Sequence, residues 1–87
     1  MRLIQWDADA WDEYCGWQQK DRSMVKRINQ LIKDIKRTPF DGIGKPEALK
    51  GNLSGFWSRR ISNEHRLVYA VTDDVAIIIS CKGHYES

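Results

Sequence analysis

Apolar and polar positions along this chain keep one period for a few residues and then change to another. Each change marks the edge of an element. Leu3, Ile4 and Trp6 form a short apolar stretch that predicts a first strand. From Asp7 the spacing turns helical: Trp11, Tyr14, Cys15 and Gln18 share one face, with Asp7 or Asp9 as the N-cap. A second helix starts near Asp21. Its apolar positions Met24, Val25, Ile28, Leu31, Ile32 and Ile35 recur at helical spacing, while Lys26, Arg27, Lys33 and Arg37 lie off that stripe. Thr38-Pro39 ends it, because a residue before proline is pushed out of the α region. The two helices are expected to form an antiparallel hairpin with one face buried on a sheet.

The stretch from Pro39 to Pro46 is rich in Gly and Pro and predicts a loop. Pro46 suits the first residue of a short helical turn carrying Glu47, Leu49 and Lys50. Strand-like runs follow at Phe56 to Ile61, Arg66 to Val71 and Val75 to Lys82, with turns at Ser62-Asn63-Glu64 and Thr72-Asp73-Asp74. The order β-α-α-β-β-β predicts a single α+β domain over residues 1–87 with a mainly antiparallel sheet.

Strand alternation assigns faces. With Leu67, Tyr69 and Val71 under the helices, Arg66, Val68 and Ala70 point the other way. A turn at residues 62–64 pairs Arg60 with Arg66 and keeps Trp57 and Ile61 inward. On the last strand simple alternation sends Ile77, Ile79 and Cys81 inward and Ile78, Ser80, Lys82 and His84 outward. Arg60, Arg66, Lys82 and His84 then gather on one open face. The same register turns Arg59 toward the helices, where it is expected near the sheet edge with its charge reaching water.

Composition narrows the class. The chain is 41% hydrophobic and 30% charged, as globular domains are. No apolar run approaches the ~20 residues of a membrane span. Met1 to Trp6 leads into Asp7, Asp9, Asp12 and Glu13 rather than an apolar signal region, so a cytoplasmic protein is expected. Cys15 and Cys81 lie far apart and form no CxxC pair. With His65 and His84 as the two histidines there is no zinc-ligand spacing, and neither metal nor cofactor is expected. The net charge of +2 is uneven: residues 21–50 carry eight Lys and Arg against four Asp and Glu. That excess suits phosphate contacts, and equally a solvated helix face.

Cleaving RNA without a metal needs a base for the 2′-hydroxyl proton, cations for the charge developing at phosphorus and an acid for the leaving 5′-oxygen. Glu47 suits the base and His84 the acid. Arg66 and Arg60 offer planar forks matched to phosphate, Lys50 a point charge, and Tyr85 a ring for stacking on an unpaired base. Each has a simpler reading from spacing alone. Glu47 is also a first-turn carboxylate, His84 a residue near a chain end, and Arg66 a solvated strand residue. His65 reads as a structural residue flanking a strand, and Trp6, Trp11, Trp17 and Trp57 as core and interface material.

The wording of the chain adds more than its spacing. Arg37-Thr38-Pro39-Phe40, then Gly44-Lys45-Pro46-Glu47-Ala48-Leu49-Lys50, then Leu53-Ser54-Gly55-Phe56-Trp57-Ser58-Arg59-Arg60-Ile61, Glu64-His65-Arg66-Leu67-Val68-Tyr69 and His84-Tyr85 resemble the YoeB branch of the RelE/ParE toxin superfamily over nearly the whole chain. The resemblance implies a toxin of a type II toxin–antitoxin pair that enters the ribosomal A site and cuts messenger RNA there, by 2′-hydroxyl attack on the adjacent phosphate. It implies Glu47 as general base, His84 as general acid and Arg66 on the phosphate. Lys50 and Arg60 would support the phosphate, and Tyr85 would place the substrate. It also implies a YefM-type antitoxin, the ribosome and its messenger as partners, and a homodimer. The chain departs from the family's best-known member at Lys82-Gly83, where that member is associated with Arg-Tyr, and from the common His-Tyr ending at Glu86-Ser87, which follow that pair. Two other readings stay open on the same fold: a ParE-like poison of DNA gyrase, and a binder that blocks translation by occupancy.

Overall fold

The computed structural model describes residues 2–84. Strand β1 (Leu3–Trp6) leads into helix α1 (Ala8–Lys20), capped by the Asp7 carboxylate on the Asp9 amide. A single residue, Asp21, both ends α1 and caps helix α2 (Arg22–Arg37). Its N–H reaches the Trp17 carbonyl, and its carboxylate accepts from the Ser23 hydroxyl and amide. The Ser23 hydroxyl is the main cause holding its carboxyl below the usual range. Helix α2 ends at Thr38, as the following proline predicts.

The sheet comprises β1, β2 (Glu47–Ala48), β3 (Trp57–Arg60), β4 (Arg66–Val71) and β5 (Val75–Ser80), in the spatial order β1-β5-β4-β3-β2. β1 pairs with β5 in parallel and the other neighbours are antiparallel, giving the expected α+β class. Both helices cover one side of the sheet. Met24, Ile28, Leu31 and Ile35 of α2 meet Leu67, Tyr69, Ala76, Ile78 and Cys81 in the core. Each fully buried isoleucine or leucine there contributes about 1.5–3 kcal/mol. No helix among the described residues is long and apolar enough to cross a membrane.

Four local expectations need correction. On α1 the inward face is Ala10, Tyr14 and Trp17, one position round from the expected set, and Trp11 is 47% exposed. Trp11 instead sits at the core margin, stacked against Trp6 and Tyr14 at ring-centroid distances of 5.5 and 5.7 Å. The helical turn expected after Pro46 is a short edge strand, since Glu47 and Ala48 find partners in Ser58 and Trp57; the one helical turn here comes later, at Gly51–Leu53. On β5 the inward residues are Ala76 and Ile78 and then Cys81, not Ile77 and Ile79. A bulge is the cause. Val68 pairs with Ser80 and Tyr69 with Ile78, so Ile79 is an extra residue that shifts the alternation by one. Ser80 is buried, its hydroxyl directed to Glu13 and the Lys82 carbonyl.

Arg59 is the fourth. It does not reach water: its side chain is fully buried, because every donor has a partner inside the protein. Nε donates to the Tyr69 hydroxyl, Nη1 to the Asp34 carboxylate and the Ile43 carbonyl, and Nη2 to the Thr38 and Asp41 carbonyls. The Tyr69 hydroxyl in turn donates a hydrogen bond to the Pro39 carbonyl at 2.6 Å. The loop wraps so closely that a Cβ on Gly42 would collide with the Asp34 carboxylate, and one on Gly44 would lie 2.6 Å from Leu31 Cδ2.

This network makes a stability prediction. Arg59→Met leaves Asp34 and three carbonyls without their donor and should cost about 3–5 kcal/mol in urea denaturation, as breaking a buried pair does. Burial works against the charge on Asp34, but hydrogen bonds from Arg59 and Ile43, with the charges of Arg59 and Arg37, outweigh it and lower its pKa. The stabilisation is therefore complete above the unfolded value of about 3.9 and is lost as pH falls through the folded one. Asp34→Asn should be less stable at neutral pH and should flatten this acid limb. An unchanged limb in that variant would assign it to another carboxylate.

Candidate functional site

The sheet face away from the helices is ordered by register. Glu47 pairs with Ser58, Ser58 with Val68 and Val68 with Ser80, so these positions form one row across β2, β3, β4 and β5. The neighbouring row holds Arg60 directly opposite Arg66. Residues opposite each other in an antiparallel ladder share a face, and diagonal neighbours lie about 7–8 Å apart, within reach of long side chains. Glu47 and Arg60 are such a diagonal pair.

Each member is held by its backbone. The Arg60 amide donates to the Gly44 carbonyl at 2.7 Å, joining the loop around Arg59 to the end of β3. That loop delivers the chain into β2 and so sets Glu47. Leu49 is buried, and its amide bonds the Phe56 carbonyl at 3.0 Å. This anchor leaves Glu47 and Lys50, on either side of it, exposed. Lys50 caps the turn that follows.

Past β5 the chain is pinned on several sides. The Arg66 amide donates to the Gly83 carbonyl at 2.9 Å, and the Gly83 amide donates to His65 Nδ1 at 3.0 Å. Trp17 Nε1 donates to the Cys81 carbonyl at 3.0 Å, and its ring meets His65 edge-on at 4.9 Å. Glu13 accepts from the Cys81 amide at 2.9 Å. These contacts set the Gly83 backbone beside Arg66, with exposed His84 following it; Lys82, expected on the open face, lines a hollow with Asp12, Gly16, Trp17 and Lys20 of α1. Tyr85 lies outside the described residues, as do Glu86 and Ser87. Across the sheet the order is thus Glu47, Arg60, then Arg66, spanning two strand spacings from β2 to β4, or roughly 10 Å, and His84 follows the Gly83 backbone that bonds Arg66.

The electrostatics of two adjacent arginines are opposite. Arg59, inward, has all five donors engaged. Arg60 and Arg66, outward and half-buried, have no ion-pair or hydrogen-bond partner for their guanidinium groups among the described residues, although they face each other directly. Like charges so placed destabilise each other, by on the order of 1 kcal/mol, unless an anion lies between them. A surface hollow of about 570 Å³ lies on the helical side, away from this face, lined by Tyr14, Gln18, Arg22, Val25, Lys26 and Asn29. An extended anionic ligand suits the sheet face better than a small enclosed one.

A family model for YoeB-like toxins of bacterial type II toxin–antitoxin systems matches residues 6–85. The chain belongs to that family. It is 64% identical over 85 residues to the toxin YoeB of Escherichia coli K12, covering 98% of this chain and all of that one. The YoeB dimer of Staphylococcus aureus superposes with a TM-score of 0.91 at 52% identity, covering 97% of this chain and 98% of the other. The toxin of a YoeB–YefM complex from the same organism gives 0.88 at 52%, covering 98% and 100%. The order of elements predicted from sequence is thus the YoeB fold, and the protein is a toxin of this class.

Several residues that matter to the YoeB-like face were not singled out from sequence. Glu13, an acid on the inward stripe of α1 beside Ala10, Tyr14 and Trp17, was the available signal: an acid there needs a partner, and it finds the Cys81 amide. Ser58 carried no signal. If the pins on residues 81–83 position the chain end, Trp17→Phe should keep the packing and lose the bond to Cys81. A loss of about 0.5–1.5 kcal/mol is expected. Faster amide hydrogen exchange at Gly83 should accompany it, and unchanged exchange there would remove Trp17 from this role.

Proposed function

We propose that this toxin is a metal-independent endoribonuclease that cuts messenger RNA in the ribosomal A site and so stops translation in the cytoplasm. The observation that carries the reading is Arg60 opposed to Arg66, without a partner among the described residues, and Glu47 diagonal to Arg60 on the same face. A phosphodiester between the arginines would meet a carboxylate toward β2 and an imidazole toward the chain end. Glu47 takes the proton of the 2′-hydroxyl, whose oxygen attacks the adjacent phosphorus. Arg66, with Arg60 and Lys50, stabilises the charge that builds on the phosphate oxygens. The bond to the 5′-oxygen breaks as His84 gives that oxygen its proton, leaving a cyclic phosphate and a free 5′-hydroxyl. Tyr85 is assigned to placing the substrate by stacking.

The partners follow from the relatives. A YefM-type antitoxin is proposed here because the Staphylococcus aureus relative was solved in a YoeB–YefM complex. A disordered antitoxin tail that folds on binding would cover the basic face. A homodimer is proposed from the solved YoeB dimer. Support comes from the edge position of β1, which carries exposed Leu3, and from the nearby cluster of Trp6, exposed Trp11 and Tyr14.

The test is messenger cleavage by purified protein with and without programmed ribosomes. Cleavage should require ribosomes, resist chelators and fall about 100-fold or more in Glu47→Ala, Arg66→Ala and His84→Ala, the usual worth of a general base, a charge stabiliser or a general acid. Intact messenger together with growth arrest would overturn the nuclease reading in favour of occupancy or a gyrase target.

A further inference from the structure

The site face contains a polar atom that the mechanism above leaves unused. Ser58 is 1% exposed, and its Oγ is the buried side-chain nitrogen or oxygen that has no hydrogen-bond partner among the described residues. Every donor of Arg59, its neighbour in sequence, is satisfied, so the omission is local to the outward face. A buried hydroxyl left unpaired is a standing penalty to the folded state. Its position explains what would remove that penalty. Ser58 sits directly between Glu47 on β2 and Val68 on β4, one row from Arg60 and Arg66.

Two acceptors are conceivable. Glu47 is directly opposite, with Cβ atoms about 4.5–5.5 Å apart in such pairs. A serine meant to steer that carboxylate would already bond it in the unliganded protein, and it does not. Val68 offers no polar atom. The acceptor therefore arrives with the ligand, and beside two unpaired guanidinium groups the group that arrives is an anionic oxygen. We infer that Ser58 Oγ donates a hydrogen bond to a non-bridging oxygen of the phosphate held by Arg60 and Arg66, as a further substrate-binding residue; this rests on the nuclease reading. Glu47 directly opposite is exposed, and exposed side chains change rotamer quickly, so a small side-chain movement on ligand binding opens a path to the hydroxyl.

Ser58→Ala in the full chain separates this role from a structural one. Ribosome-dependent cleavage should fall about 10- to 100-fold, the worth of a hydrogen bond to a charged group. The melting temperature should stay the same or rise, because an unpaired buried hydroxyl has been removed. Sulfur in place of one non-bridging oxygen at the cut phosphate should slow the wild type more than Ser58→Ala, for one diastereomer. Wild-type cleavage by the variant, or lost activity matched by a lowered melting temperature, would overturn the assignment. If the wild type itself leaves the messenger intact on ribosomes, the nuclease reading fails rather than the role of Ser58.

Discussion

One guanidinium group ties together most of what the sheet face depends on. Arg59 projects from β3 into the interior and joins α2 through Asp34, the loop through the Thr38, Asp41 and Ile43 carbonyls, and β4 through Tyr69. Burying a charge alone costs several kcal/mol. Here it is tolerated because a planar fork with five donors meets five acceptors, an arrangement that lysine could not match. Burial pushes the Tyr69 phenol above its ordinary pKa, which keeps it a proton donor to Pro39 while it accepts from Arg59. A buried ion pair seldom adds much net stability over a hydrophobic replacement. What this one supplies is a fixed path for a loop that has no regular structure of its own.

That path has a functional consequence. The loop leaves Arg59, gives the Gly44 carbonyl to Arg60 and enters β2, where Glu47 stands. Strand alternation then separates two adjacent arginines by role. The inward one is spent on structure, with nothing left to offer a ligand. The outward one faces another arginine across the ladder, and neither has an ion-pair partner among the described residues. A fold selected for stability alone would place an acid between Arg60 and Arg66 or replace one of them. The unpaired hydroxyl of Ser58 lies beside the same defect. Destabilising features gathered on one face, over a fully satisfied interior, are what a surface awaiting an anion would show.

The sequence was readable where side-chain pattern determines structure. Helix α2 follows from apolar residues recurring at helical spacing and from Thr38-Pro39 at its end. The pairing of Arg60 with Arg66 follows from the length of the turn at residues 62–64. What could not be read was set by the backbone or by distant partners. The bulge at Ile79 has no signature in a run of Val, Ala and Ile, so alternation carried through it assigned Ile77, Ile78 and Ile79 to the wrong faces. Pro46 is a sound helix-start signal, but pairing of Glu47 with Ser58 overrode it. Arg59 was correctly turned inward and then wrongly sent toward water, because its acceptors are mostly main-chain carbonyls that residue types do not reveal. Glu47 and His84 entered as candidates on chemistry, and their roles came from family resemblance. Strand alternation puts His84 with the arginines, but no spacing links Glu47 to that face.

The bulge also bears on how the two ends of the face are brought to bear on one ligand. Beyond it the chain no longer alternates simply, and Ser80, Cys81 and Gly83 are fixed by Glu13, Trp17, His65 and the Arg66 amide instead of by a continuing ladder. The residue before His84 is thus held from the helical layer, while Glu47 is held by the Arg59 loop at the other side of the sheet. Two independent anchors thus hold the two ends of this region, with the opposed arginines between β2 and the segment after β5. On the proposed nuclease reading, an open sheet face would supply charge and proton transfer. The in-line geometry of the RNA strand, worth many kcal/mol when attacking and leaving groups are aligned, would be set by whatever presents the strand. A ribosome-held messenger would meet that need, which is why the proposal includes dependence on the ribosome.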